Sequence, residues 1–321
     1  MEVLLSIIIP MYNAEAYIES TLSSALDGVD NRVEIIVVDD GSNDNSFSIC
    51  ENYDDPRVHL YRQENSGAPA ARNKGLLEAR GEYVLFFDAD DFFETGAVNR
   101  ILFEISESRH DCYVGNFYRY DGKSSVLEYK DLHWMKSLYS YYMFTPSPNS
   151  KVFRRSVLRE NNLRFESIRL AQDLNFYMKF LGVSQDVKVI EYPFFHYRYV
   201  PQSISHVTDD RILDIEKSID GAIAYYESMN SERLCYSYAY LNGIKHTNYQ
   251  LYKLLYVDDT ETISKLYPEL KRIWNKFFTD SKPPRFEFKY YKKKWIDAII
   301  QYYYRFLITN HINRIKRAKL K

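Results

Sequence analysis

The chain has 321 residues, 45% of them hydrophobic and 27% charged, a globular balance with room for one large domain or one domain and an appendage. Its three cysteines, Cys50, Cys112 and Cys235, lie far apart with no CxxC pair, which suggests neither a disulfide framework nor a zinc site and fits a reducing cytoplasm. The net charge of -2 is uneven: residues 289–321 carry +9 and the rest of the chain -11, so a basic tail follows an acidic body.

In chain order, LLSIII (Leu4 to Ile9) is a short apolar, partly β-branched run ended by Pro10. It lacks the basic region of a signal peptide and reads as a first buried strand. AEAYIESTLSSAL follows with helical spacing, Ala16, Leu22 and Leu26 falling near one face. VEIIVV (Val33 to Val38) is a second strand ending in DDGS, and NDNSFSICENY a helix with Ser42 or Asn43 as its cap. VHLY (Val58 to Tyr61), the helix APAARNKGLLEAR and the strand EYVLFF (Glu82 to Phe87) complete the first hundred residues.

Strand and helix alternating at this spacing predict βαβ units and a parallel sheet. Near-continuous apolar strands fit a sheet covered on both faces. Ligands of such sheets bind beyond the carboxyl ends of the strands. Three predicted strands end in PMYN, DDGS and DADD, so these polar clusters should share one edge.

Beyond Asn99 the pattern is mixed and aromatic. SVLRENNLRF and DLNFYMKFLG suggest short helices and turns, and VKVIEYPFFHYR one or two strands. From Ser205 helices dominate, up to the proline-marked linker DSKPPRF (Asp280 to Phe286). In the tail, Ile296, Ile299, Ile300, Tyr303 and Leu307 project onto one helical face, opposite Lys294, Asp297, Gln301 and Arg305. A basic amphipathic helix of this kind suits an anionic membrane surface; the plainer alternative is a helix packed on the protein with its basic face solvated. No nucleic-acid reader motif accompanies it. No stretch reaches the roughly 18 apolar residues expected of a spanning helix.

The chemistry concentrates in YVLFFDADDFF, Tyr83 to Phe93, where an apolar strand runs into three aspartates. Buried carboxylates without partners are costly. Asp88 and Asp90, on the turn after the strand, can converge on one cation, and hard oxygen donors suit Mg²⁺ or Mn²⁺ with phosphate completing the shell. A capped turn with exposed acids is the alternative for a lone DxD. NSGAPAARNKG (Asn65 to Gly75) adds Arg72 and Lys74 near a helix start, a favourable place for phosphate. Tyr12 after the first strand can stack on a base, and Asp39 after the second can accept from a ring N–H. Together these outline nucleobase, diphosphate and metal in one cleft.

SIIIPMYNAEAYIESTLSSAL, EIIVVDDGSNDNS and ENSGAPAARNKGLLEARGEYVLFFDADD, in that order over residues 4–93, resemble the successive signatures of the family 2 glycosyltransferases. The resemblance implies a GT-A fold: an α/β, Rossmann-like, mostly parallel sheet flanked by helices, here with a helical C-terminal extension. It implies an inverting enzyme using a nucleotide-sugar, usually a UDP-sugar, with Mn²⁺ or Mg²⁺. By the same resemblance Pro10, Tyr12, Asn13 and Asp39 line the nucleoside pocket, Asp40 supports that loop, and Arg72 faces the nucleotide or its phosphates. Asp88, Ala89 and Asp90 form the DxD segment, with Asp90 the more direct metal ligand.

The family draws its general base from a Glu-Asp pair opening a later helix. Here LAQDLNFYMKF aligns Asp173 with that aspartate, and Gln172 replaces the glutamate. Asp173 is the expected base. FFHYRYVPQSIS resembles the segment that closes over the diphosphate, so that His196 would complete the metal or phosphate shell and Arg198 counter the leaving charge. Two rivals stand beside this reading: a haloacid-dehalogenase-like phosphatase, which places its DxD on the first strand, and a degenerate nucleotide-sugar-binding scaffold. The expected division is a GT-A domain at 1–204 (nucleotide half 1–98, acceptor half 99–204), a helical region at 205–280 and a basic amphipathic tail at 281–321. The implied acceptor is a glycan or lipid-linked oligosaccharide at the inner face of the cell membrane, with peripheral attachment through the tail, no nucleic-acid partner, and a homodimer as a further use of the helical region.

Overall fold

The computed structural model describes residues 2–184, 186–200, 208–231, 233–280 and 307–315. Strand and helix alternate at the start as the spacing predicts: β1 (Leu5–Met11), α1 (Ile18–Leu26), β2 (Val33–Asp39), α2 (Ser46–Glu51), β3 (Val58–Arg62), α3 (Ala68–Glu78) and β4 (Tyr83–Phe86). Then come β5 (Phe92–Phe93), α4 (Ala97–Glu107), β6 (Cys112–Tyr120), β7 (Ser125–Leu127), α5 (Leu138–Met143), β8 (Lys151–Arg154), α6 (Arg155–Glu160), α7 (Gln172–Val183) and β9 (Val187–Arg198). The helices α8 (Ile215–Ser228), α9 (Arg233–Lys253) and α10 (Thr260–Asp280) follow.

The chain divides into two compact units. The first holds residues 1–141, 145–167 and 183–201 and contains one sheet, ordered β3-β2-β1-β4-β8-β6-β9-β5, with β7 on β6. Its first half, β3-β2-β1-β4, is wholly parallel. In the second half β8 runs antiparallel to β4 and β6, while β6 and β9 are parallel. The sheet is therefore mixed, and the parallel expectation describes the part built from βαβ units. VKVIEYPFFHYR is a single strand, with a register shift opposite Gly115 and Asn116 of β6.

Every side chain of β2 and β4 is buried, as their apolar residues require; the one charged residue inside β2, Glu34, is paired with Ser6 and Arg80. Phe87 stacks on Phe93 with ring centroids 3.9 Å apart and meets Phe195 edge-on. These rings fill the space beneath the turn that carries the acidic residues. Helix α3 lies tightly against β1: a Cβ on Gly75 would come within 2.3 Å of Ile8 Cγ2. Gly75→Ala is therefore expected to cost about 1–3 kcal/mol, read as a lower midpoint in denaturant-induced unfolding; an unchanged midpoint would show that the helix can lift off the sheet.

Helix α2 begins later than its sequence suggests. Neither Ser42 nor Asn43 caps it; Asp44 Oδ1 accepts from the Ser46 N–H at 3.0 Å. Ser42 is occupied elsewhere, because its Oγ accepts from the backbone N–H of Asn13.

The second unit holds residues 142–144, 168–182 and 202–321, and its described elements are helices. Ile212, Leu251, Leu254, Ile263, Leu266 and Leu270 form a core that also takes in Ile308 and Ile315. Residues 307–315 are helical, and His311 Nε2 lies 2.8 Å from the Val257 carbonyl oxygen. In this stretch of the tail the isoleucines are turned into the protein, which is the packed alternative. Residues 281–306 and 316–321, with the remainder of the projected amphipathic face, lie outside the described residues. Among the described residues no helix is long and apolar enough to cross a membrane.

Within this unit Glu216 of α8 meets Arg272 and Lys276 of α10 at 2.7 and 3.0 Å. The Arg272 hydrogen bond is the main reason its carboxyl is held down at about 2, against 4.5 for an ordinary glutamate. A depressed acid stabilises the fold above its unfolded pKa and loses that contribution as pH falls toward its folded one. Glu216→Gln should thus cost about 1 kcal/mol at pH 7, an allowance for partial solvent screening. The deficit relative to wild type should close between pH 4.5 and pH 2 in acid-unfolding curves.

Candidate active site

The carboxyl ends of β1, β2 and β4 lie side by side, because β1 pairs with both of the others. The clusters after them therefore meet at one edge of the first unit. Pro10 and Met11 close β1 opposite Val38 and Asp39. Tyr12 is 49% exposed, its ring open to a flat ligand. Asn13 takes a left-handed φ of 48°, a conformation asparagine tolerates better than most residues. Its Oδ1 accepts from the Asn43 N–H at 2.9 Å, so the loops after β1 and β2 hold each other.

Asp39 is completely buried. Its Oδ1 accepts from the Ser42 N–H at 3.1 Å. Its Oδ2 lies 3.1 Å from Arg62 Nε but out of line with that N–H, and it has no hydrogen-bond donor. A buried carboxylate oxygen with charge balance and no donor is poised to accept one from a ligand. Asp40 instead holds structure: it accepts from Gln63 Nε2 at 2.8 Å, Ser66 N at 2.9 Å and Gly67 N at 2.8 Å. That clamp sets the loop leading into α3, where Gly67 adopts a φ of 87°.

Past β4, ligand oxygens of Asp88, Asp90 and Asp91 all lie within 4.8 Å of one another. Arg72, projecting from α3 across the Phe165 ring, donates through Nη2 to Asp88 Oδ1 at 2.8 Å. The Thr21 Oγ1–H of α1 lies between the carbonyl oxygens of Ala89 and Asp91, at 2.9 and 2.7 Å, and its one proton is shared at the turn. Burial, then the Asp88 charge, pushes the Asp90 carboxyl up to about 6. Burial and the neighbouring Asp90 and Asp88 raise Asp91 well above the usual carboxylate range, against the opposing hydrogen bonds from Arg198 N and Asn149. Crowded, mutually repelling hard oxygens are of the donor type that suits a small divalent cation.

Arg198 closes the same turn. Its Nε donates to the Asp90 carbonyl oxygen and its backbone N–H to Asp91 Oδ1, each at 2.8 Å. Its guanidinium sits over the rings of Tyr17, Phe92 and Tyr120 at 5.0, 5.1 and 5.7 Å. His196, expected in the metal or phosphate shell, is not among the group formed by Asp88, Asp90 and Asp91. Its Nε2 is 2.8 Å from Glu94 Oε2 and its Nδ1 2.7 Å from Ser125 Oγ, so both ring nitrogens are engaged. The ring is also stacked on Phe92 and Tyr118. His196 packs at the β5–β9 pairing, opposite Phe92.

Asp173 lies in the second unit, in the first turn of α7. The residue two before it, Ala171, has a left-handed φ of 65°, strained for a residue with a Cβ. The turn is held there by Ser218 Oγ and the Asn175 N–H, both donating to the Ala171 carbonyl oxygen at 2.8 and 3.2 Å. Gln172, in the place of the expected glutamate, keeps a buried Oε1 with no donor.

The sequence assigns Asp91 no separate role and gives no sign of Asn149 or Thr21. Asp91 stood in the acidic run itself, and its adjacency to Asp90 was the available signal. Asn149 and Thr21 sit in PSPNS and ESTLS, which carry no motif.

The profile of "Glycosyl transferase family 2" matches residues 6–161. This stretch belongs to glycosyl transferase family 2. The glycosyltransferase domain so defined contains every residue of the acidic turn and of the β1 and β2 loops. The chain is 29% identical over 253 residues to the uncharacterized glycosyltransferase EpsJ of Bacillus subtilis, covering 72% of each. It is 34% identical over 193 residues to the poly(ribitol-phosphate) beta-glucosyltransferase of Bacillus spizizenii, covering 56% of this chain and 30% of that protein. Among solved structures, S. aureus TarS residues 1–349 with UDP-GlcNAc is similar with a TM-score of 0.67 at 19% identity, covering 99% of this chain and 91% of that one. That likeness establishes the GT-A glycosyltransferase fold, with its mixed sheet and helical C-terminal region.

Proposed function

We propose that the chain is an inverting glycosyltransferase that moves a sugar from a UDP-sugar to a hydroxyl of a cell-surface glycan or lipid-linked oligosaccharide. The observation that carries this is the convergence, on one sheet edge, of a buried carboxylate oxygen lacking a hydrogen-bond donor (Asp39 Oδ2) with a three-carboxylate cluster braced by Arg72. The first suits the ring N–H of a pyrimidine, and Tyr12 offers its exposed ring to the base. Pro10 and Asn13 shape the pocket wall. The second suits a cation-bound diphosphate. That TarS was solved with UDP-GlcNAc and that a relative is named a glucosyltransferase of poly(ribitol-phosphate) support a UDP-hexose donor and a cell-wall acceptor.

Asp88 and Asp90 would hold the divalent ion. When bound there, it would supply positive charge against the departing diphosphate. Arg72 fixes Asp88, and Arg198 fixes the Asp90–Asp91 backbone from its aromatic box. Asp173 takes the proton from the acceptor hydroxyl as that oxygen attacks the anomeric carbon. The bond to the diphosphate oxygen breaks on the opposite side, so the configuration inverts.

The test is isothermal titration of UDP, GDP and CDP with and without Mn²⁺. Metal-dependent preference for UDP is expected; preference for another nucleotide would change the donor, and binding of none would overturn the reading. We further propose attachment to the inner leaflet through the basic residues of 289–321. Deleting that segment should abolish sedimentation with anionic liposomes, and unchanged sedimentation would refute it.

A further inference from the structure

The acidic turn is organised by a residue outside the sequence motifs. Asn149 is fully buried on a 3-10 turn, Pro148–Ser150, that leads directly into β8. Its Nδ2 donates to Asp88 Oδ2 at 3.0 Å and to Asp91 Oδ2 at 2.8 Å. Arg72 already takes Asp88 Oδ1 and the Arg198 N–H takes Asp91 Oδ1. All four oxygens of these two carboxylates are thereby held, whereas among the described residues no side chain donates to the carboxylate of Asp90.

The choice of an amide has a chemical reason. Two close carboxylates need donors between them to stay in place. A lysine or arginine there would add positive charge and compete with a cation. One –NH₂ group supplies two hydrogens and no charge, so the negative field of the cluster is preserved. The amide orientation leaves Asn149 Oδ1 buried without a donor, a cost in stability accepted for the sake of the two carboxylates. The turn is itself anchored by the fully buried Lys151, whose Nζ donates to the carbonyl oxygens of Thr145 and Ser147, both at 2.7 Å.

We propose that Asn149 is a positioning residue that presets Asp88 and Asp91 so that the free carboxylate of Asp90 completes a cation site; this rests on the metal reading of the cluster given above. The experiment titrates Mn²⁺ calorimetrically into the full chain with saturating UDP, for wild type, Asn149→Leu and Asn149→Ser. It also measures UDP affinity without metal and the thermal midpoint of each protein. Mn²⁺ affinity should fall about 10–100-fold in the leucine variant, the range seen when outer partners of metal ligands are removed, and less in the serine variant, which keeps one donor. Metal-free UDP affinity should stay within about twofold, since the loops holding Asp39 are untouched; loss of both affinities together would mean a merely structural role and would overturn the proposal. If the leucine variant does not fold, the serine variant decides alone. Wild type that binds Mn²⁺ alongside variants of unchanged Mn²⁺ affinity overturns this inference only. Wild type that binds no Mn²⁺ removes the metal reading, and this inference with it.

Discussion

Asp90→Asn is expected to lower kcat/KM about 100–1,000-fold, the scale at which one preorganised charge-stabilising group acts in a transition state, without unfolding the protein. The substitution is nearly isosteric. It removes the one carboxylate of the cluster to which no described side chain donates, and it keeps the turn pinned by Thr21 and Arg198. Its effect on the metal-free fold has the opposite sign. Burial and Asp88 raise the Asp90 carboxyl to about 6. An acid raised in the folded state contributes stability that is complete below its unfolded value of 3.8 and lost as pH climbs through about 6. At pH 7.5 the ionised group therefore weighs against folding, and the asparagine variant should melt at the same temperature as metal-free wild type or higher. For the same reason Mn²⁺ should raise the wild-type midpoint more at pH 7.5 than at pH 5.5, where protons compete for Asp90. Thermal scans with and without Mn²⁺ at the two pH values check both signs. Full activity in the variant would remove Asp90 from the chemistry, and an equal Mn²⁺ shift at both pH values would remove it from the ion.

Asp173→Asn is expected to lower kcat about 100–10,000-fold, the span of a lost general base, with UDP affinity and the Mn²⁺-dependent stabilisation within twofold of wild type. The asparagine can still accept at the helix start and keeps the shape of the side chain, but it cannot take a proton from the acceptor. The diagnostic is the split between parameters. A loss in kcat with intact nucleotide binding is the mark of an interaction made in the chemical step. Comparable losses in UDP affinity would instead mean that the α7 turn, strained at Ala171, shapes the donor pocket. Donor hydrolysis by water should fall with transfer if Asp173 also activates water; preserved hydrolysis with lost transfer would confine its action to the acceptor hydroxyl.

Much of the donor side is legible in the amino-acid sequence because it is built from local, repeating rules. A β-branched apolar run ending in a polar turn defines a buried parallel strand and the edge at which ligands bind. Three such runs, before PMYN, DDGS and DADD, place Tyr12, Asp39 and Asp88 on one edge, and β1–β2 and β1–β4 pairing brings them there. The acidic triplet after a hydrophobic strand carries its own physical tension, and that tension points to a cation. The family signatures over residues 4–93 are confirmed by the match over residues 6–161.

Other features are invisible in the sequence because they depend on partners distant in the chain. His196, among aromatics in a motif-like segment, invites a metal role; only the fold shows that Glu94 and Ser125 lie at its two nitrogens and that it stands outside the acidic group. Asn149 lies 61 residues from Asp88 in a stretch whose composition is that of any turn, and a side-chain amide becomes an organiser only when two carboxylates face it. Helix α2 starts after Asn45, beyond both Ser42 and Asn43, with the loop after β1 claiming the Ser42 hydroxyl and Asp44 accepting from the Ser46 N–H. Sequence by itself thus determined the first four strands, their shared edge and the kind of chemistry placed on it, since periodicity and local residue type are properties of neighbours along the chain. Tertiary structure decided which carboxylates are restrained, which one is left open and which polar groups are already spent, since hydrogen-bond satisfaction is a property of neighbours in space.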